Sequence, residues 1–316
     1  MVTSGVNPLM AYGKLFLGAF GSRFGLIETV VKATPLMLAG LGVALAFRCS
    51  FFNIGAEGQL YMGAFAATWA AYAFSELDAA FLLPFMLLLG FLGGGFWGMI
   101  PGVLKVKLRV NEIITTLMMN YIAILWVTHM LVGPWMYEGF PWSPIITEAA
   151  RLPNLAGSRL HVGIFFALIA AVLIYLMLMK TRLGYEIRVV GANIKAARYA
   201  GISIFKTIIP AVIISGGLAG IAGMVQVSAI HYRIMPGLSP GYGYTAVVVA
   251  LLGKLHPIGV IASSIFFGGL LVGADMMQRA VGIPVALVNI IESLVLLLIV
   301  AGEFLIRYRV SFERGG

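Results

Sequence analysis

The chain has 316 residues, of which 61% are hydrophobic and only 10% are charged, and its net charge is +9. Soluble domains carry about 25% charged residues and about 45–50% apolar ones, so this composition excludes a soluble enzyme, a disordered chain and a coiled coil. Basic loops on the cytoplasmic face of a membrane protein explain the positive charge, and we expect no nucleic-acid partner. The composition therefore predicts an all-α polytopic membrane protein.

Nine stretches of the chain are almost free of charge, and Glu292 is the one Asp, Glu, Lys or Arg inside them. Most are long enough to cross the hydrocarbon layer, which takes about 20 helical residues. They predict a single membrane domain covering residues 1–316, with eight or nine transmembrane helices or half-helices. The stretches are 33–47, 58–75, 79–104, 113–137, 160–179, 207–232, 234–253, 255–274 and 280–302.

Two of these stretches depart from a simple span. The first is short, and it extends back to about Leu26 if Glu28 and Lys32 reach the membrane interface with their polar ends. The seventh begins with the turn-like segment MPGLSPGYGYT. It therefore predicts a half-helix or re-entrant segment from about Ala246.

The basic residues predict an orientation. If the stretches alternate across the membrane, 14 of the 21 Lys and Arg residues fall on one side, which the positive-inside rule makes cytoplasmic. The loop 180–206 and the C-terminus are then cytoplasmic, whereas the loop 134–160 and the N-terminus are outside. Lys14 interrupts the apolar stretch in residues 1–22, which do not form a signal peptide. An outside N-terminus then implies either unaided translocation or a missing first helix.

A weak internal repeat is visible at an offset of 178 residues. Residues 110–117 read VNEIITTL and residues 288–295 read VNIIESLV, with three identical positions. Each stretch follows a glycine-rich helix. Transporters are often built from such repeats, and we hold a true duplication and a chance match equally open.

A polar segment, FNIGAEGQ, lies between the first two apolar stretches. It places Asn53, Glu57 and Gln59 beside two glycines, which free the backbone to break a helix. In one interpretation these side chains line a cavity at membrane depth. In the other the segment is a cytoplasmic turn, and Glu57 stabilises the start of the helix that follows.

A second polar segment, GANIKAARYAGIS, lies in the basic loop 180–206. Asn193 can cap a short helix and Gly201 can end it. Such a helix, with small residues exposed, suits docking into a groove of another protein. The alternative is a basic loop that lies on anionic lipid.

Other polar residues in the apolar stretches are few. Asn289 and Glu292 are three residues apart and share a helix face, where they form either a polar patch on a transport pathway or a buried pair that fixes packing. Asn111 and Asn120 flank the start of the fourth stretch, and Glu112 there is an ordinary helix-end charge.

The sequence contains no constellation that indicates catalysis. The four histidines are scattered, no Walker lysine loop is present, and the single cysteine, Cys49, excludes an internal disulfide and a cysteine metal cluster. We therefore expect a non-catalytic subunit without a cofactor or metal site.

Four segments together resemble those of a known family. They are FRCSFFNIGAEGQLYMGAFAA, VNEIITTLMMNYIA, GANIKAARYAGIS and GYGYTAVVVALLG. They are similar to the permease subunits of bacterial ABC importers, most of all to the nucleoside branch. The wider group also contains permeases for ribose, other simple sugars and branched-chain amino acids. The resemblance runs from about Ala11 to Phe304.

The resemblance implies a type II-like importer permease in the bacterial inner membrane, surrounded by membrane lipid. It implies three protein partners: a cytoplasmic ABC ATPase that hydrolyses ATP, a second, related permease, and a periplasmic or lipid-anchored substrate-binding protein. The implied substrate is a nucleoside. The alternative substrates are a simple sugar and a branched-chain amino acid. The alternative mechanism is an ion-coupled secondary transporter in which Glu292 is the coupling carboxylate.

The resemblance also implies functional residues. The motif Glu-Ala-Ala-x-x-x-Gly, through which ABC permeases contact their ATPase, matches here at every position except the first, which is Lys195. The implied ATPase-coupling residues are Asn193, Lys195, Ala196, Ala197, Arg198 and Gly201. The implied substrate-pathway residues are Asn53, Glu57, Gln59, Asn111, Asn120, Tyr244, Asn289 and Glu292.

Overall fold

The computed structural model describes residues 8–155 and 157–281, together with 290, 293, 294, 297, 298, 301 and 302. Nearly all regular structure in these residues is helical, which confirms the all-α prediction. The helices are α1 (Pro8–Phe20), α2 (Arg23–Arg48), α3 (Ala56–Ala73), α4 (Ala79–Leu108), α5 (Glu112–Val132), a short 3₁₀ helix (Glu148–Ala150), α6 (Gly163–Lys180), α7 (Arg182–Ala192), α8 (Ile194–Tyr199), α9 (Ile204–Val225) with a π-helical continuation (Gln226–His231), α10 (Tyr242–Leu252) and α11 (Pro257–Val281).

Eight of the nine apolar stretches coincide with a helix. Six helices of the described part are long and apolar enough to cross a membrane, and the other two are α3 and the half-helix α10. The half-helix begins at Tyr242, four residues before the predicted start. Most of the ninth stretch and of the second copy of the repeat, 288–295, lies outside the described residues.

Helices α2 and α9 form the centre of the bundle, since most of their residues are buried, whereas most residues of α4 and α5 are at least partly accessible. Glycines allow α3, α4 and α9 to touch through their backbones. A Cβ added to Gly63 would lie 2.1 Å from the Cα of Gly220, and one added to Gly220 would lie 2.1 Å from the carbonyl oxygen of Gly90. No side chain separates the three helices at this crossing.

The two ends of the bundle differ. At the end that carries α8, here called the α8 end, Arg48 donates from Nε to the carbonyl of Leu255 (2.7 Å), and Lys105 pairs with Glu112 (2.6 Å). At the opposite end, the loop 134–160 covers the π-helical segment and the chain after it. In this loop the backbone N–H of Leu152 donates to the carbonyl of Ser228 (2.9 Å). We call this the loop end.

The first residues form a helix that the sequence analysis did not predict. Helix α1 packs against α11, where a Cβ on Gly18 would lie 2.6 Å from that of Met276. Helix α2 begins at Arg23, so the first apolar stretch does extend back past Leu26. Glu28 is 8% exposed, and both Glu28 and Lys32 form ion pairs, described below.

Candidate functional site

The break between α2 and α3 contains a closed network of amide side chains. Asn53 is fully buried, and its Nδ2 donates to Gln59 Oε1 and to Ser215 Oγ, both at 2.9 Å. Its Oδ1 accepts from the N–H of Gly55 and from Gln59 Nε2, both at 3.0 Å. Asn53 thus uses both of its donors and both acceptor positions within the protein.

Asn120 ties α5 to the same break. Its Oδ1 accepts from the backbone N–H of Gly58 (2.7 Å), and its Nδ2 donates to the carbonyl of Ile54 (2.9 Å). A Cβ on Gly58 would lie 2.8 Å from the Cα of Asn120, so this glycine allows the close approach. The break is therefore fixed on one side by α9 and on the other by α5.

Glu57 joins the break to the half-helix α10. The carboxylate is buried (2% exposed), and its Oε2 accepts from the backbone N–H of Gly243 at 2.6 Å. That N–H belongs to the first turn of α10, where no carbonyl of the helix itself can accept it. Glu57 thus caps a helix, as one of the two interpretations held, but the helix is α10 rather than its own.

The structure brings five of the predicted pathway residues together. Tyr244 lies close to Asn120 and is 38% exposed, so it is the most accessible member of the group formed with Asn53, Glu57 and Gln59. Its partners in the group are almost fully buried. Their role in substrate passage stays a prediction.

Of the other three pathway residues, only Asn111 is among the described residues. Asn111 is exposed at the α8 end, where its Oδ1 accepts from the N–H groups of Ile113 (2.9 Å) and Ile114 (3.3 Å) and caps α5. Asn289 and Glu292 lie outside the described residues.

We expect replacement of Glu57 to separate its structural role from a chemical one. Glu57→Gln keeps an oxygen that can accept from Gly243, so thermal stability should change little. Glu57→Ala leaves that buried N–H without a partner, which costs about 1–3 kcal/mol. Thermal unfolding of the purified protein measures both, with the exposed Glu76→Ala as the control. Equal losses in the two Glu57 variants would contradict the capping role.

The predicted helix in the loop 180–206 is present as α8. Asn193 Oδ1 accepts from the N–H groups of Lys195 (2.9 Å) and Ala196 (3.1 Å), which makes it the N-cap. At the other end Gly201 has φ +76°, and the N–H of Ile202 donates to the carbonyl of Ala197 (3.0 Å). This is the glycine-dependent Schellman ending.

We expected the exposed face of α8 to consist of small residues, but it contains larger ones as well. Ala197 is fully buried and faces the bundle, whereas Tyr199 is 93% exposed. Lys195, Ala196 and Arg198 are also exposed. The surface that α8 offers to a partner is therefore basic and aromatic around one small residue.

The α8 segment is attached to the helix break. Ser50, three residues after the end of the apolar stretch in α2, donates from Oγ to the carbonyl of Gly191 (3.0 Å), the penultimate residue of α7. A Cβ on Gly191 would lie 2.0 Å from the carbonyl oxygen of Arg48. The end of α7, which leads into α8, therefore directly contacts the chain that leads into the break.

A polar cleft at the loop end was missed by the sequence analysis. It has a volume of about 310 Å³ and contains two ion pairs, Lys32 with Asp275 and Arg159 with Glu28 (3.1 Å). The spacing of Glu28 and Lys32, one turn apart on a helix, was a signal of a shared polar face. Their partners are far away in the sequence, so the pairing was not readable.

Comparison with known proteins identifies the family. The model of the permease component of branched-chain amino acid transport systems matches residues 25–300. A glucose ABC transporter permease protein of Haloferax volcanii is 41% identical over the whole chain and 87% of its own length. A guanosine ABC transporter permease protein of Bacillus subtilis is 39% identical over 98% of this chain and 90% of its own, and a nucleoside ABC transporter permease protein of Lactococcus lactis is 32% identical over 97% and 87%. No solved structure matches the chain significantly. The chain belongs to this family of ABC transporter permeases and is a multi-pass membrane protein.

Proposed function

We propose that the chain is the transmembrane subunit of an ATP-driven importer and forms part of the pathway for nucleosides. The observation that carries the substrate is the similarity to the guanosine permease over 98% of the chain. A simple sugar is the second candidate, because the glucose permease is 41% identical. A branched-chain amino acid is supported only by the family description.

The α8 end is the proposed site of the ATPase. The exposed Lys195, Arg198 and Tyr199 give α8 a basic and aromatic surface, and the helix is held by its own cap and ending rather than by burial alone. In this proposal ATP hydrolysis takes place in that partner, and this chain contributes no catalytic group.

The two ends then face opposite sides of the membrane. We place the α8 end and the loop 180–206 in the cytoplasm, together with the C-terminus, since Lys105, Lys180 and Lys195 lie there. The loop 134–160 and the N-terminus face outside, where a periplasmic or lipid-anchored binding protein delivers the substrate. Residues 1–316 act as one transmembrane domain in the inner membrane.

A second permease completes the pathway in this proposal. Bacillus subtilis has two proteins named as guanosine ABC transporter permeases, and this chain is also similar to the second, at 30% identity over 76% of its length. Their shared name supports a heterodimer of related permeases for this chain as well.

The described contacts suggest how movement passes through the subunit. When ATP closes the ATPase domains, α8 moves with them and displaces the Ser50–Gly191 contact (3.0 Å). The break before α3 follows, and Glu57 carries the displacement to α10 through Gly243. Access to the pathway then alternates by movement of packed elements about such contacts.

Uptake of labelled guanosine, glucose and leucine by cells tests the proposal. We expect guanosine uptake that requires the permease, the ATPase and the binding protein together. Uptake that survives deletion of the ATPase but is abolished by a protonophore would contradict it in favour of an ion-coupled transporter. Uptake of glucose in place of guanosine would establish the sugar alternative.

A further inference from the structure

The cleft at the loop end has the size and lining of a small-molecule site. Its volume of about 310 Å³ lies at the lower end of the about 300–1,000 Å³ that such sites occupy. It is enclosed by α2, α11, the π-helical segment, the start of α10 and the loop 134–160. Elements that are distant in the sequence thus converge on one polar space.

The lining offers hydrogen-bonding groups of both kinds. Glu28 is 8% exposed, and although Arg159 lies 3.1 Å from its Oε1, that oxygen has no hydrogen bond within the described part of the protein. Gln226, 3% exposed, adds an amide that both donates and accepts. Lys32 and Asp275 add a donor and an acceptor at the rim.

These groups favour an uncharged ligand that carries several hydroxyls. The carboxylates of Glu28 and Asp275 each have a basic partner, and the third basic residue of the lining, Arg279, is exposed to solvent. A hydroxyl donates to a carboxylate while it accepts from an ammonium, a guanidinium or an amide, and it therefore fits beside such pairs. Tyr242 adds an aromatic ring to the lining.

Two other places are less suitable for such a ligand. The groove between α4, α6 and α9 is larger, about 590 Å³, but its lining is apolar except for Thr181. In the network of Asn53 and Gln59, the amides already satisfy each other. A hydroxyl-bearing molecule would find no open partner in either.

We propose that this cleft is the first contact of the transported molecule with the permease, and that it binds the hydroxyl-bearing ring. The proposal rests on the proposed import function. Its lining residue Tyr242 precedes Gly243, whose N–H is held by Glu57. Ligand in the cleft therefore touches the element that is linked, through the helix break, to the α8 end.

The test measures binding to the purified permease–ATPase complex in lipid nanodiscs without the binding protein. Labelled guanosine is the probe, and unlabelled glucose and leucine are competitors. Gln226→Leu and Asp275→Asn should each weaken guanosine binding about tenfold, the size expected for loss of a hydrogen-bond partner. Glu148→Gln, a carboxylate 92% exposed in the same loop region, is the matched control and should bind as the wild type does.

A second ligand separates direct contact from a structural effect. The second ligand is 2′,3′-dideoxyguanosine, which lacks the ring hydroxyls. For this ligand, the loss of affinity caused by at least one of the two substitutions should shrink to less than about twofold, because the hydroxyl that the replaced side chain would contact is already absent. A structural effect would lower the affinity for both ligands equally. Thermal unfolding of each complex identifies a variant that fails to fold, and Asp275, which is half-exposed, is the more tolerant position.

Each outcome bears on one of the two proposals. Three results would overturn the proposed ligand site in the cleft while leaving uptake by cells intact. They are wild-type affinity for guanosine in both folded variants, equal penalties with the two ligands, and no binding to the wild-type complex up to the solubility limit. Displacement by glucose with the same sensitivity to the variants supports the cleft and changes the substrate to a sugar. Loss of the import function itself appears only in the uptake experiment.

Discussion

Gly201→Val should reduce ATP-driven uptake roughly tenfold or more while the protein remains folded. Gly201 has φ +76° and ends α8, and no atom lies within 4 Å of an added Cβ. The substitution therefore meets no neighbour, but a valine in this conformation costs about 1–2 kcal/mol. The strain displaces the last turn of α8, which carries Arg198 and Tyr199 on its exposed side.

Two further variants make this result specific. Gly201→Asn should keep most of the uptake, because asparagine tolerates the left-handed conformation. Gly139→Val, at φ +78° and equally open on the opposite end, imposes the same strain away from α8 and should transport normally. Substrate-dependent ATP hydrolysis by the assembled complex and uptake by cells are the measurements. Normal coupling in Gly201→Val would show that α8 is not the docking element.

Gly243→Ala should be the most destabilising single substitution among those considered. The added Cβ would lie 2.2 Å from the backbone N of Glu57 and 2.4 Å from its Cα. Backbone atoms cannot rotate away as a side chain does, so α10 must move and lose its bond to the Glu57 carboxylate. We expect a cost of about 3 kcal/mol and a fall of roughly 6–12 °C in Tm.

The control for this variant is another glycine-to-alanine change in a helix. Gly13 in α1 has no atom within 4 Å of an added Cβ, so Gly13→Ala should leave Tm unchanged or raise it slightly, because alanine is the better helix former. Thermal unfolding in detergent and the yield from membranes report both variants. A Gly243→Ala protein as stable as the Gly13→Ala protein would mean that α3 and α10 do not approach as described.

The elements that were predicted correctly depend on local sequence. The apolar stretches fix the helices because twenty apolar residues must satisfy their backbone polar groups internally in a membrane. Helix α8 was readable because a cap and an ending are set within one turn of the helix, by Asn193 and Gly201.

The features that were missed depend on tertiary arrangement. Glu57 caps a helix 186 residues further along the chain, and Lys32 pairs with a carboxylate 243 residues away. The sequence shows that such charges need partners, since unpaired charges are costly inside a membrane protein, but it does not say which. Helix α1 was missed because its 13 residues are too few for a membrane span.

The glycine crossing of α3, α4 and α9 divides the subunit mechanically. Added Cβ atoms at Gly63, Gly94 and Gly220 would lie 2.1–2.2 Å from the backbone of a neighbouring helix, so no flexible side chain lies there to absorb relative movement. We therefore expect these three helices to move together as one rigid frame during a transport cycle. Conformational change is left to the elements that long side chains connect, such as α2 and the loop 134–160 through Glu28 and Arg159, where a salt bridge can stretch or exchange partners without disturbing a close-packed backbone contact.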